Sequence, residues 1–210
     1  MITGLWGKKV GMTQVFSEKN EVVPVTVIDT GHWFVTAIKT QDKDGYSALQ
    51  CGRVRKRYEG ASFDQAWLKS MKKYFVHVRE ISLAQDAEGF TVGQACDLAS
   101  ALQEGGLVDV FGVSKGRGFQ GVVKRHGYSG GPATHGSTFH RLPGSISFWR
   151  SEGRVPKGKT LPGHMGAVAT AVRGLRLVQV RPEDNLVLVK GAVPGSSGSC
   201  VFVRKQMGEK

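Results

Sequence analysis

Apolar residues recur in short runs over the first part of the chain, and turn residues separate these runs. The runs are KKVGMTQVF, EVVPVTVID, WFVTAIKT and SALQCGRVR. Turn signals lie between them at residues 18–20, 31 and 42–45. Short runs rich in β-branched residues indicate strands, and close turns between them favour antiparallel pairing. The pattern over residues 1–58 therefore predicts an antiparallel meander.

The segment after the meander has helical periodicity. The apolar side chains that would share one helical face are Phe63, Ala66, Trp67, Met71 and Tyr74. Ser62 and Gln65 have the spacing of a capping box, and Lys72 and Lys73 would lie at the favourable C-terminal end. The pattern predicts one helix here.

Strand-like runs resume at YFVHVREI and LVDVFGV, with a helical turn predicted at DLASALQE between them. Three more runs, GLRLVQV, NLVLVKG and SCVFVRK, occupy the C-terminal part. Residues 114–166, which separate the two groups, show no apolar period of a helix or a strand. We therefore predict a mainly β fold with α+β elements. Its barrel-like body is formed by residues 1–113 and 167–210, with a small α+β lobe around 60–100, and its two halves pair across the insertion.

Charge is concentrated in the same insertion. The chain has a net charge of +12, and residues 114–166 contain nine Lys or Arg against one acid, Glu152. The insertion also contains twelve of the 29 glycines. Five aromatic residues alternate with its basic ones: Phe119, Tyr128, Phe139, Phe148 and Trp149. A basic segment with stacking side chains suits a nucleic acid better than a solvated linker.

Several other classes of protein fit the sequence poorly. Its longest apolar runs, such as VVPVTVI, are far shorter than the ~20 residues of a membrane-spanning helix. The N-terminus has neither a secretory signal nor a transit peptide, so we expect the protein to stay in the compartment where it is made. Cys51, Cys96 and Cys200 are widely spaced, which indicates free thiols in a reducing compartment.

Three enzyme motifs occur in the insertion, and each lacks its scaffold. GRVPKGKT at 153–160 fits the P-loop pattern, but Pro156 and Pro162 oppose the loop and the helix that phosphate binding requires. GRGFQG at 116–121 has no long helix or ribose-binding acid after it. GYSGG at 127–131 lacks the helix of a nucleophile elbow. We therefore predict that the protein is not an enzyme and has no small-molecule substrate.

A metal site is also not expected. The histidines of the insertion, at 126, 135, 140 and 164, have no cysteine or carboxylate beside them to complete a ligand set. We predict no cofactor, and any structural Mg²⁺ would be bound to a nucleic-acid partner such as RNA and not to the protein.

A family resemblance is carried by residues 102–125, LQEGGLVDVFGVSKGRGFQGVVKR. This run closely resembles the signature region of large-subunit ribosomal protein 3. GLWGKKVGMTQVF, RLPGSI, GKTLPGHMG and NLVLVKGAVPG also resemble landmarks of that family, in the same order along nearly the whole chain. The length resembles that of the bacterial form.

The resemblance implies a body with a translation-factor-like barrel and a non-globular extension, here roughly 114–166, that enters ribosomal RNA. It implies direct binding of large-subunit ribosomal RNA, a role early in assembly and a location on the cytoplasmic ribosome. The extension tip, around 147–152, would lie near the peptidyl transferase centre. Ribosomal proteins fourteen and nineteen would be neighbours. The methylated glutamine of some relatives has no counterpart, because no Gln lies between 121 and 178.

The residues that we expect to bind RNA are basic or aromatic and lie mostly in the insertion. They are Lys8, Lys9, Lys115, Arg117, Lys124, Arg125, His126, His135, His140, Arg141, Phe148, Trp149, Arg150, Arg154, Lys157, Lys159 and His164. Body residues such as Arg53, Arg55, Lys56 and Arg57 could add contacts or form an ordinary solvated face. We expect the insertion to be largely unstructured without RNA. An RNA chaperone outside the ribosome would explain the charge, but not the ordered landmarks.

Overall fold

The computed structural model describes residues 3–83, 89–96, 102–146 and 153–206. The chain divides into two compact units: the body, Met1–Val113 with Ala169–Lys210, and the extension unit, Ser114–Val168. The strands are β1 Gly4–Phe16, β2 Val22–Asp29, β3 Trp33–Lys39, β4 Ala48–Val54, β5 Phe75–Ser82, β6 Leu107–Val113, β7 Phe119–Gln120, β8 Gly163–His164, β9 Ala169–Arg181, β10 Leu186–Lys190 and β11 Cys200–Lys205. The helices are α1 Gln41–Asp44, α2 Ala66–Lys69, α3 Met71–Tyr74 and α4 Val122–His126, and Lys56–Tyr58 forms a 3₁₀ turn.

Six antiparallel strands of the body close into a barrel in the order β1-β11-β6-β9-β10-β2. The first and last of these strands in the sequence are neighbours, with Gly4 opposite Arg204. Buried aliphatic side chains, including Leu5, Val110 and Val187, form the core. Each such residue contributes roughly 1.5–3 kcal/mol through burial. The prediction of a mainly β fold is therefore confirmed.

The two strands that flank the extension unit pair with each other. β6 and β9 run antiparallel from Val113 opposite Ala169 to Leu107 opposite Arg176. The extension unit is thus the connection between two hydrogen-bonded neighbours. The sequence prediction that the two halves pair across the insertion is confirmed.

A second sheet of the body contains three strands in the order β3-β4-β5. The predicted meander is wrong at this point, because β2 and β3 belong to different sheets. β1 covers one edge of β2, and β10, from the other end of the sequence, covers the second edge, with Leu186 opposite Asp29. β3 therefore has no free edge of β2 with which to pair.

The predicted helix after residue 60 is two separate turns, α2 and α3, divided at Ser70. The capping box is also wrong, because the Asp64 carboxylate, and not Ser62, accepts the Ala66 N–H at 3.0 Å. The apolar face is largely as predicted. Trp67 is buried and stacks on Tyr74 at 5.3 Å, whereas Ala66 is exposed.

The helical turn predicted at DLASALQE falls mainly on residues 97–101, outside the described ranges. Within those ranges, no helix has the length and apolar character that crossing a bilayer requires.

Candidate nucleic-acid interface

The extension unit begins and ends as a two-stranded ribbon. Its backbone hydrogen bonds run from Ser114 N–H to Val168 O (2.9 Å), from Arg117 N–H to Met165 O (2.9 Å) and from Met165 N–H to Gly118 O (3.0 Å). β7 and β8 continue the ribbon, with Phe119 opposite His164. This pairing was not predicted, because frequent glycines interrupt the alternation of apolar and polar residues that indicates a strand.

Gly166 lets the two sides of the ribbon come close together. Its φ of +75° is in the left-handed region, and an added Cβ would clash with the Lys115 carbonyl oxygen and lie 3.0 Å from Gly116 Cα. Only glycine meets both conditions without displacing the backbone. The spacing of Lys115 and Arg117 on the ribbon therefore depends on this residue.

The short helix α4 presents three consecutive basic residues. Val122 anchors it by burial, and Gly127, at a φ of 74°, closes its C-terminus by donating to the Val123 carbonyl at 3.0 Å. Lys124 is exposed and directed to solvent. The helix thus presents the positive charge of Lys124 to solvent.

The other two basic side chains of α4 fix the returning strand of the extension unit. The Arg125 guanidinium donates to the Leu161 carbonyl, and His126 Nε2 lies 3.1 Å from the same oxygen. The Tyr128 hydroxyl forms a hydrogen bond with Thr160, the residue before Leu161. Arg125 therefore positions residues 160–161, and any contact of its own with RNA would come in addition to this role.

The loop that follows α4 is also held internally. Gly131 N–H donates to the His140 carbonyl at 2.7 Å, and the Phe139 ring covers Gly131. His135 and His140 adopt left-handed conformations, with φ of 58° and 42°. Both histidines and the neighbouring Arg141 are exposed.

Most of the predicted contact residues lie at the surface of the extension unit. The exposed ones among them are Lys115, Arg117, Lys124, His126, His135, His140, Arg141, Arg154, Lys157, Lys159 and His164. Phe119, which was not among the predicted RNA contacts, has 77% of its surface exposed. Phe148, Trp149 and Arg150 lie outside the described residues. Because Glu152 is the only acid in this part of the sequence, the positive field is almost uncompensated.

Lys8 and Lys9 have opposite environments on strand β1. Lys8 is exposed, but Lys9 is only 8% exposed, and its ammonium donates to the carbonyls of Val193 and Gly195, both at 2.9 Å. Neighbouring strand residues point to opposite faces, which accounts for the difference. We therefore withdraw Lys9 from the predicted RNA contacts, because its charge has a structural role in the barrel.

A basic cleft of about 520 Å³ also lies on the body. It is lined by Arg55, Lys56, Arg57, Tyr58, Lys72, Lys73 and Val76. Arg55 joins its two sides, donating from its N–H to the Tyr74 carbonyl and from Nη2 to the Lys72 carbonyl, both at 2.9 Å. Sequence reasoning assigned Lys72 and Lys73 only to a helix end. Their proximity to residues 55–57 depends on β4 pairing with β5, which sequence spacing alone does not reveal.

The three enzyme motifs lack their scaffolds in the structure. GRVPKGKT leads into strand β8, GRGFQG leads into α4 with five residues, and no helix follows GYSGG within residues 132–146. No group of three metal-ligating side chains is found in the part of the chain that the structure describes. What remains of these motifs is glycine-rich backbone beside positive charge.

Comparison with known proteins agrees with these observations. The family model for "Ribosomal protein L3" matches residues 77–186. The chain is 47% identical over 210 residues to large ribosomal subunit protein uL3 of Alkaliphilus metalliredigens (strain QYMF), covering 96% of both chains. It is 44% identical over 206 residues to the protein of the same name from Brachyspira hyodysenteriae, covering 95% of this chain and 92% of the relative. Syntrophotalea carbinolica has a further relative, 44% identical over 209 residues and 98% of both chains. The chain therefore belongs to the ribosomal protein L3 family, whose members are structural components of the large ribosomal subunit and not enzymes.

Proposed function

We propose that this large-subunit protein binds large-subunit ribosomal RNA directly and that the extension unit makes the main contact. The observation that carries the proposal is the surface of the extension unit, where basic side chains are exposed on both sides of an internally bonded scaffold. Within a ribosomal subunit, the polyanion that suits such a surface is folded RNA, because phosphates lie along the whole length of the RNA.

The parts of the surface have different roles in this proposal. Exposed Lys and Arg side chains neutralise phosphates, and glycine-rich backbone allows close approach to the RNA strand. The exposed Phe119 and Phe139 rings offer faces on which unpaired bases can stack. Arg125 and Gly166 hold the scaffold on which these groups are mounted. The basic cleft of the body adds a second phosphate-binding surface.

Binding of this kind couples the extension unit to early assembly. Few apolar side chains are buried among the described residues of the unit, so RNA contacts would supply much of the free energy that orders it. We propose that it binds while the RNA is still folding and is then enclosed by it. Residues 147–152, which lie outside the described ranges, would form the part nearest the peptidyl transferase centre. Ribosomal proteins fourteen and nineteen are the proposed protein neighbours.

The test is binding to large-subunit ribosomal RNA across a series of salt concentrations. The full-length chain is compared with a variant in which residues 115–167 are replaced by a short Gly/Ser linker between β6 and β9. If six to nine basic residues meet phosphates, log affinity should fall against log salt with a slope of roughly −4 to −8. The linker variant should lose most of both affinity and slope.

Two controls make the result specific. Circular dichroism establishes that the barrel of the linker variant still folds, and ATP and NAD are added as competitors. Undiminished RNA binding by the linker variant, or competition by either nucleotide, would contradict the proposal.

A further inference from the structure

Two cysteine thiols of the body face each other at close range. Cys51 Sγ in strand β4 lies 3.4 Å from Cys96 Sγ. Neither sulfur is oxidised, and the third cysteine, Cys200, is also a free thiol. The pair is separated by 45 positions in the sequence, so folding alone brings the two sulfurs together.

The backbone fixes both cysteines on either side of strand β3. Cys51 lies opposite Val35 in the sheet. On the other edge of β3, Cys96 N–H donates to the Trp33 carbonyl at 2.8 Å, and Val35 N–H donates to the Gln94 carbonyl at 3.0 Å. Residues 93–96 thus form an added edge of the sheet, and the two sulfurs meet over the side of β3 that is packed into the core.

Solvent reaches the two sulfurs unequally. Cys51 is 0% exposed, whereas Cys96 is half-buried at the edge of the core. The hydrogen bond between the two thiols, together with burial, raises the pKa of the Cys51 thiol, so Cys51 stays protonated at neutral pH. A small oxidant therefore meets Cys96 first.

We propose that Cys51 and Cys96 are an oxidation site that forms a reversible intramolecular disulfide on exposure to a peroxide. In the first step the Cys96 sulfur attacks one peroxide oxygen, the O–O bond breaks, and Cys96 sulfenic acid and water form. In the second step the Cys51 sulfur attacks the Cys96 sulfur, its proton leaves with the hydroxyl group as a second water, and the S–S bond forms. The two sulfurs together lose two electrons, which reduce the peroxide.

Forming the bond requires the backbone to move. A disulfide bond is about 2.05 Å long, so the sulfurs must approach by roughly 1.4 Å. Because strand β3 lies between the two cysteines, their Cα atoms must also come closer than two strand spacings of about 4.8 Å each. Cys51 lies in the central strand of its sheet, and Cys96 lies in an edge segment with one neighbouring strand. The edge segment is therefore the part that moves, and the bond ties it to β4.

The experiment treats the reduced, full-length protein with dilute hydrogen peroxide, then unfolds it in guanidinium chloride with N-ethylmaleimide, so that every remaining thiol is blocked, and measures the intact mass. The expected product has lost the mass of two hydrogen atoms and carries one maleimide instead of three. Dithiothreitol should restore all three reactive thiols. Protease digestion without reductant should give one linked peptide pair, containing Cys51 and Cys96.

Variants identify the partners and the order of events. Cys200→Ala should form the same bond, because Cys200 takes no part. Cys51→Ala should leave Cys96 sulfenic acid, which dimedone labels, and Cys96→Ala should resist peroxide at Cys51. A different linked pair, cross-linked dimers only, or an unchanged thiol count after peroxide would overturn the proposal. Because the peptide mapping uses the unsubstituted chain, the outcome does not depend on a cysteine variant folding.

Discussion

The Arg53 guanidinium in strand β4 donates a hydrogen bond to the Asp29 carboxylate in strand β2 at 2.6 Å. The pair joins the barrel to the three-stranded sheet. Arg53 is 6% exposed, so its charge depends on this partner, while the second Asp29 oxygen accepts the Gly31 N–H at 2.9 Å. One carboxylate thus holds a buried cation and a turn.

Asp29→Asn should separate these two roles. The amide oxygen can still accept from Gly31, but Arg53 is left buried without its counter-charge. We expect the free energy of unfolding to fall by about 2–4 kcal/mol, measured by urea denaturation. Asp44→Asn is the control, because it breaks an exposed ion pair with Lys39 at 2.8 Å and should have a much smaller effect. Equal losses in the two variants would show that burial does not matter here.

The adjacent lysines of β1 should respond in opposite ways. Lys9→Met removes a donor from the Val193 and Gly195 carbonyls and should lower the free energy of unfolding by about 2–4 kcal/mol. Lys8→Met should leave stability nearly unchanged and weaken RNA binding. Urea denaturation and RNA titration on both variants check the pair. If Lys9→Met is as stable as the unsubstituted chain but binds RNA more weakly, Lys9 contacts RNA and does not stabilise the barrel.

Gly166→Ala should disrupt the ribbon of the extension unit, because the new methyl group clashes with the Lys115 carbonyl. Faster hydrogen exchange is expected at the Arg117 and Met165 amides, together with weaker RNA binding. Gly136→Ala is the matched control, since Gly136 has a similar φ of +70° but nothing within 4 Å of an added Cβ. If both variants exchange alike, left-handed strain and not the clash is responsible.

Substitution of the basic cleft should change the salt dependence of RNA binding. Replacing Lys72 and Lys73 together by Gln removes two cations from the cleft. We expect the slope of log affinity against log salt to become shallower by roughly 1.4–1.8 if both meet phosphates. Lys19→Gln, at an exposed turn near other charges, serves as the control. An unchanged slope for the double variant would limit the interface to the extension unit.

His77 should make stability fall as the solution becomes mildly acidic. Burial, reinforced by the charges of Arg79 and Arg53, lowers the pKa of His77 in the folded protein. As pH falls through about 6.5, the unfolded chain takes up a proton that the folded chain resists, so the free energy of unfolding decreases. The decrease ends once pH passes below the folded pKa. Urea denaturation of His77→Gln between pH 8 and 5, taken in roughly half-unit steps, should show a smaller decline than the unsubstituted chain. An identical decline would assign the effect to other groups.

Short apolar runs were enough to predict the strands and the barrel-like body. A run such as that of β10, in which Val187, Leu188 and Val189 are all buried, is typical of a strand inside a sheet. The pattern of runs did not place β2 and β3 in separate sheets, since the partner that covers β2 is 157 positions away at Leu186. The difference between Lys8 and Lys9 was equally hidden. It depends on which face of β1 meets the Val193 loop, and this follows from tertiary packing.

For the candidate RNA-binding surface too, the sequence predicted local features but not contacts between distant residues. Composition alone separated the basic segment from the body, because charge needs no partner to be recognised. The ribbon, the anchoring of Leu161 by Arg125 and the proximity of Lys72 to Arg55 all rest on contacts between distant residues. Local propensity carries no record of such contacts, so sequence reasoning separated the segment that forms the extension unit but missed its internal hydrogen bonds.

The pairing of β1 with β11 also sets an order of events during synthesis. The first strand leaves the translating ribosome early and must remain unpaired on one edge until residues 200–205 have been made. By then the whole extension unit has already emerged. Its positive charges are therefore available to a polyanion before the barrel can close, so barrel closure is not a precondition for such a contact.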